Sequence, residues 1–158
     1  MIFICENNRY AMGTAIHRAL AQTEIWRFAE TYGIHGEPVD GMDVLAVREA
    51  GAKAAEHARS GKGPFILEMK TYRYRGHSMS DPQKYRTREE IDEVRKNRDP
   101  IEHLEDRLQA DKLADDDTLK AIDAEVKRIV ADAAEFARTA PEPEPSELYT
   151  DVYLEAAR

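Results

Sequence analysis

Two short segments hold most of the side chains able to bind an anion or a hard metal ion. The first is Glu6-Asn7-Asn8-Arg9-Tyr10-Ala11-Met12-Gly13-Thr14. Side-chain amide and backbone carbonyl oxygens suit Mg2+, which takes few protein ligands and completes its shell with water and phosphate oxygens. Asparagine after a strand is also a common turn residue, so the pair by itself leaves both readings open. The second segment is Thr71-Tyr72-Arg73-Tyr74-Arg75-Gly76-His77-Ser78-Met79-Ser80-Asp81-Pro82. Arginine offers a planar fork of donors to phosphate oxygens, and Gly76 allows close backbone approach. His77 can donate a hydrogen bond or move a proton near neutral pH. From Lys70 to Arg88 there are six cations and one anion, Asp81, in a chain of net charge −8. A small anionic ligand accounts for that reversal; a solvated charge cluster is the plain alternative.

Other chemistries find no support. The single cysteine, Cys5, excludes an internal disulfide framework and a multi-cysteine zinc site, and a reducing compartment is expected. Cys5 lies in a strand pattern, where cysteine is usually an inert small hydrophobe. His17, His35, His57 and His103 have no metal-ligand spacing and are assigned structural or solvent roles. Gly61-Lys62-Gly63-Pro64 is a turn without the spacing of a phosphate-binding P-loop. The overall acidity argues against nucleic acid, and no apolar run is long enough for a membrane span. No leader pattern precedes the first strand, so an intracellular chain is expected.

The elements that must position these segments fall into two halves. All eight glycines lie at or before Gly76. Residues 1–86 read as strand, helix, short strand, helix, strand, which implies an α/β fold with a parallel sheet and crossover helices. Ile2-Phe3-Ile4-Cys5 is continuously apolar, the pattern of a strand buried on both faces. Such a strand should not open a complete domain, so the chain is expected to be the C-terminal portion of something larger. Glu24–Tyr32 predicts a helix stopped by Gly33, Asp43 caps a helix to about Gly61, and Phe65–Tyr72 predicts the second strong strand. Both candidate segments then follow strand ends, where open α/β sheets bind their ligands.

Residues 87–140 form a helical region. Thr87 and Glu90 make a capping box, and Asp99-Pro100 opens a second helix to about Ala110. Asp115 begins the longest helix, whose stripe of Leu119, Ile122, Val126, Ile129, Val130, Ala133 and Phe136 is too short for a confident coiled coil. Residues 141–158 are a Pro/Glu spacer of polyproline type and a tail, Leu148–Leu154, apolar enough to dock on a partner.

Ile4–Thr14 resembles the closing part of the thiamine diphosphate motif in the alpha subunits of the pyruvate dehydrogenase E1 family, within the thiamine diphosphate-dependent 2-oxo acid dehydrogenases. Val39-Asp40-Gly41-Met42-Asp43, Gly61-Lys62-Gly63-Pro64, Tyr72–Pro82, Tyr85-Arg86-Thr87-Arg88-Glu89-Glu90 and Asp99-Pro100-Ile101 resemble the same family in the same order. The resemblance implies that Asn8 binds Mg2+ through its side chain and Tyr10 through its carbonyl. It implies that His77 contacts the thiamine diphosphate from a mobile loop supported by Arg73, and has a catalytic role there. Ser78 matches a regulatory phosphorylation serine of eukaryotic members. Ala15 stands where those carry a second such serine, and Gln83-Lys84-Tyr85 lacks the third.

The motif's opening Gly-Asp-Gly, with its metal-ligating aspartate, lies outside this sequence. The implied activity is oxidative decarboxylation of pyruvate, with acyl transfer to the lipoyl group of an E2 acyltransferase. The implied partners are an E1 beta subunit, in an alpha2beta2 heterotetramer, and an E2 lipoyl domain, in the cytoplasm of a bacterium. An acetoin or branched-chain 2-oxo acid dehydrogenase alpha subunit is the nearest alternative. A non-catalytic assembly module is the alternative of a different class.

Overall fold

The computed structural model describes residues 1–153; Leu154, the last residue of the expected docking tail, lies outside the described residues. Packing divides the chain into two compact units, residues 1–113 and 114–158.

Three strands form the sheet of the first unit: β1 (Ile2–Asn7), β4 (His35–Asp40) and β5 (Phe65–Lys70), all parallel and in the order β1-β5-β4. The register pairs Ile2 with Phe65 and Asn7 with Lys70 on one side, and His35 with Phe65 and Asp40 with Lys70 on the other. All three strands therefore end level. β5 is central and the most buried. Alternate residues Phe65, Leu67 and Met69 face α2 (Val44–Arg59) and pack with Val39, Ala50 and Ala54 into the core. Asp43 starts α2 as the sequence predicts, its Oδ1 accepting from the Leu45 N–H (2.8 Å) and the Ala46 N–H (3.2 Å). Those two backbone donors also hold its carboxyl below the usual carboxylate range. His57, near the end of α2, stands edge-on to Phe65, so its role is packing.

β1 corrects one expectation. It is not buried on both faces: among the described residues it is an edge strand, with Phe3 48% and Ile4 63% exposed. On that side Phe3, Ile4, Cys5, Phe28, Tyr32 and Ile66 line an open, almost wholly apolar cavity of about 530 Å3.

The expected helix over Glu24–Tyr32 is a 3₁₀ segment, Ile25–Tyr32, ended by Gly33 at φ 64°. Its tighter winding follows from its anchors. Glu24 makes no cap; its carboxylate takes the Trp26 indole N–H and Lys70, while the Trp26 backbone N–H goes to Glu68 on β5. The segment also lies hard against β4. A Cβ added to Gly36 would sit 2.5 Å from the Trp26 carbonyl oxygen, so only glycine fits there.

Two small elements went unread in the sequence. β2 (Tyr10–Ala11) and β3 (Thr14–Ala15) form a tight hairpin, and α1 (Ile16–Ala19) follows it. Met12 takes φ 53° in the turn, a left-handed conformation that its residue type does not advertise. Beyond the Tyr72–Arg86 loop, α3 (Arg88–Arg98) and α4 (Pro100–Ala110) begin at Thr87 and Asp99 as expected. They are tied back to the strand ends by Arg98 to Asp40 (2.7 Å) and by the Tyr74 hydroxyl to Asp99 (3.0 Å).

In the second unit, α5 (Asp116–Thr139) starts where Asp115 accepts from the Thr118 N–H (2.8 Å). Of the large residues of its stripe, Leu119 is half-buried, while Ile122, Val126, Ile129, Val130 and Phe136 remain more than half exposed. The polyproline spacer is only partly realised. Glu144 has that conformation (φ −66°, ψ 145°), but Pro145–Tyr149 turns into a short 3₁₀ segment.

Candidate functional site

Because β1 and β5 end level, the segments that follow them emerge side by side. Thr71 N–H donates to the Asn7 carbonyl at 3.1 Å, extending the pairing by one bond. After β1 the chain makes two overlapping side-chain turns. Asn7 Oδ1 accepts from the Arg9 N–H (3.0 Å), and Asn8 Oδ1 accepts from the Tyr10 N–H (3.0 Å). Arg9 sits at φ 68° between them. An amide oxygen has two lone pairs, so Asn8 Oδ1 retains acceptor capacity after this bond.

The structure brings Asn8, Tyr10, Arg73 and His77 to one small cavity of about 30 Å3, which Met12, Tyr85 and Arg86 complete. Two segments far apart in the sequence thus share one wall. Ser78 lies beside it on the exposed crest of the loop, its Oγ 2.9 Å from that of Ser80.

Three residues that organise this arrangement were not singled out as site residues from the sequence. Glu90 is the first. Its backbone N–H completes the Thr87 cap (3.1 Å), but its carboxylate does not return to the cap. Instead it accepts from the Tyr72 hydroxyl (2.9 Å) and the Tyr10 hydroxyl (3.2 Å), joining the two candidate segments to the start of α3. Arg86 is the second. Its guanidinium lies 5.2 to 5.9 Å from the ring centres of Tyr10, Tyr72 and Tyr85, and it donates to the Arg73 carbonyl and to Gln83 Oε1 (2.7 Å). Its Nε is buried without a partner. Asp81 is the third, and being the lone anion in a cationic stretch was its one visible signal. It accepts from the His77 N–H (2.8 Å), the Tyr85 hydroxyl (2.9 Å) and the Gln83 N–H (2.9 Å). Those bonds, the His77 and Gln83 amides foremost, keep its carboxyl below the usual range. A Cβ on Gly76 would come within 2.7 Å of that carboxyl, so any larger residue there would have to displace the Asp81 side chain from its three bonds.

His77 is the least restrained of the four. Its imidazole is exposed, and the recorded hold on it is through the backbone: Asp81 at its N–H, and Arg73 reaching its carbonyl at 3.5 Å. Tyr72 is the opposite case. Burial, followed by its bond to Glu90, pushes its phenol up to about 12. The folded protein therefore holds this proton more tightly than the unfolded chain, whose tyrosine titrates near 10. The stabilisation is full below about pH 10 and is lost as pH rises toward about 12. A phenolate absorbance titration should show Tyr72 ionising late among the tyrosines, and Tyr72→Phe should remove that late step. Loss of an early step rather than the late one in Tyr72→Phe would contradict the contact with Glu90.

Burial, then the charge of Glu68, raises the Cys5 thiol pKa, but Cys5 is half-buried at the open apolar cavity rather than enclosed in a strand core. Among the described residues no group of three or more His, Cys, Asp or Glu could hold a metal ion.

The parallel α/β sheet sets a cationic, tyrosine-braced loop beside an amide-and-carbonyl turn at its strand ends, the position at which open α/β sheets bind their ligands. The model of the dehydrogenase E1 component family matches residues 1–146, and the chain belongs to that family. It is 58% identical over 154 residues to the pyruvate dehydrogenase E1 component subunit alpha of Rhizobium meliloti, covering 98% of this chain and 44% of that protein. The mitochondrial alpha subunit of Sminthopsis macroura is 55% identical over 153 residues, 96% of this chain and 42% of its own length. For the human somatic mitochondrial form the figures are 54% over 153 residues, 96% and 39%. The chain thus spans less than half the length of these relatives.

Proposed function

We propose that this chain is the Mg2+- and diphosphate-holding portion of a thiamine diphosphate-dependent pyruvate dehydrogenase E1 alpha subunit. The observation that carries the reading is the convergence of Asn8, Tyr10, Arg73 and His77 on one cavity. The names of the relatives, at 54 to 58% identity, support it.

The donor set fits the group. Asn8 Oδ1 and the Tyr10 carbonyl are hard oxygens, and Arg73, His77 and the unpartnered Nε of Arg86 are donors suited to diphosphate oxygens. The cavity of about 30 Å3 has room for about a single water, so it marks where these donors converge and does not itself enclose a diphosphate. When bound, the thiamine diphosphate supplies the carbanion chemistry, and the protein orients it. In this reading Asn8 and Tyr10 fix the metal, Arg73 and His77 grip the diphosphate, and Asp81, Arg86 and Glu90 return the loop to one closed form.

The substrate of this proposal is pyruvate. The partners are a beta subunit, in an alpha2beta2 heterotetramer, and the lipoyl domain of an E2 acyltransferase, in a bacterial cytoplasm. In a complete E1 carrying this segment, His77→Ala should leave the fold intact, weaken cofactor retention and slow acetyl transfer to a lipoyl domain. Unchanged cofactor affinity and rate would remove His77 from the site. Faster turnover of acetoin or a branched-chain 2-oxo acid than of pyruvate would favour a sister enzyme. The 158-residue chain titrated alone should bind thiamine diphosphate weakly or not at all, since it contributes two metal oxygens in this reading. Mg2+-dependent micromolar binding to the monomer would overturn that expectation.

A further inference from the structure

Glu68 is a wholly buried ionisable residue that the proposed chemistry leaves unused. It occupies the middle of β5, on the face opposite Phe65, Leu67 and Met69. The contacts recorded for its two oxygens are both with neutral N–H groups. Oε1 accepts from Asn7 Nδ2 at 2.6 Å, and Oε2 accepts from the Trp26 backbone N–H at 2.9 Å. Lys70, two residues on, pairs with Glu24 at 2.8 Å instead. Burying a carboxylate is costly unless its hydrogen bonds are met, so what those bonds hold matters.

What they hold is the rotor of the Asn-Asn turn. Asn7 has one amide edge on Glu68 and the other on the Arg9 N–H, at 3.0 Å. Its amide orientation is thereby fixed from both ends. The Arg9 N–H that it restrains belongs to the residue at φ 68°, and the next residue supplies both the N–H bonded to Asn8 Oδ1 and the Tyr10 carbonyl. We propose that Glu68 is a positioning residue which, through Asn7, sets the turn that presents Asn8 Oδ1 and the Tyr10 carbonyl to Mg2+. The inference rests on the reading of Asn8 as a metal ligand. Groups one bond behind metal ligands typically change metal affinity by about 10- to 100-fold when lost.

The polarity of the pair gives the test. Glu68→Gln leaves one amide oxygen for two N–H donors and turns an NH2 group toward the other. Asn7→Asp keeps the bond to Arg9 but sets a second carboxylate oxygen against Glu68. In the double variant both faults cancel. The amide introduced at position 68 donates its NH2 to the carboxylate introduced at position 7, while its oxygen accepts from the Trp26 N–H. Two readouts are compared across the two singles, the double and Asn8→Ala. One is amide hydrogen exchange at Arg9 and Tyr10 in the 158-residue chain. The other is the Mg2+ concentration that half-saturates cofactor binding in a complete E1.

Each single should speed exchange at Arg9 and raise the Mg2+ requirement by about 10-fold or more. The double should return both toward the unaltered protein, which a loss of general stability would not do. If Asn8→Ala raises the Mg2+ requirement while Glu68→Gln and Asn7→Asp do not, the positioning role is wrong and the metal reading stands. If Asn8→Ala has no effect either, the metal reading has failed and the inference falls with it. Failure of the double to recover overturns the inference even if one single proves too unstable to purify.

Discussion

Asn8→Ala in a complete E1 carrying this segment should abolish activity at ordinary Mg2+ and recover only when the metal is raised by about 100-fold or more. The magnitude is bounded from below. Losing a group one bond behind a ligand already costs about 10- to 100-fold, and Asn8 in the proposed reading is the ligand itself. Mg2+ demands near-octahedral oxygen geometry and rests on few protein ligands, so losing one of two removes a large share of what fixes it here. The substitution has a structural cost as well, because Asn8 Oδ1 accepts from the Tyr10 N–H at 3.0 Å. One such bond is worth about 1 kcal/mol, too little to unfold a domain. Asn8→Asp separates the two effects. It keeps the oxygen and the turn, so it should retain most metal binding while Asn8→Ala does not. Equal Mg2+ dependence for Asn8→Ala and the unaltered enzyme would remove Asn8 from the metal shell.

Helix starts were legible because each is written locally. Asp43, Thr87, Asp99 and Asp115 all accept from the backbone N–H groups two or three residues on, as their types and positions predict. The central strand was legible for a different reason: Phe65–Lys70 is apolar enough to be buried wherever it lands. Failures occur where a long-range partner overrides the local pattern. Ile25–Tyr32 has helical spacing, yet Glu68 and Lys70 seize its first residues and wind it as 3₁₀. Glu90 reads as a capping glutamate, and no local rule shows that its carboxylate reaches Tyr10, 80 positions away. Glu68 is invisible for the same reason, since a glutamate within an apolar strand carries no signal of what it will meet. The strand ends placed the site; the residues that brace it emerged only from the packing.

Ser78→Glu should inactivate a complete E1 far more than Ser78→Ala. The hydroxyl's recorded contact is with Ser80 Oγ at 2.9 Å, so its removal deletes one exposed hydrogen bond, worth about 1 kcal/mol at most. An added carboxylate acts on charges. Ser78 follows His77 directly, in the stretch where six cations face one anion. At an effective dielectric near 20, two unit charges about 5 Å apart interact by roughly 3 kcal/mol, on the order of a hundredfold in affinity. Exposure of the loop reduces this, because solvent around the charges raises the effective dielectric toward that of water. The larger consequence is therefore conformational. Arg86 is locked by three tyrosine rings, the Arg73 carbonyl and Gln83, and should stay in place. Arg73 is held to the His77 carbonyl only at 3.5 Å, and a carboxylate at position 78 offers it a charged partner instead. Capturing Arg73 frees the His77 carbonyl, leaving Asp81 at its N–H as the remaining backbone hold, and leaves the diphosphate with one cation fewer. Activity, cofactor affinity and protease sensitivity of the loop, measured with and without saturating cofactor, distinguish the two routes. Pure repulsion weakens cofactor binding without changing cleavage of the free enzyme, whereas loss of Arg73 increases cleavage even before cofactor is added. Equal activity of the Glu and Ala variants would show that this loop does not face the diphosphate.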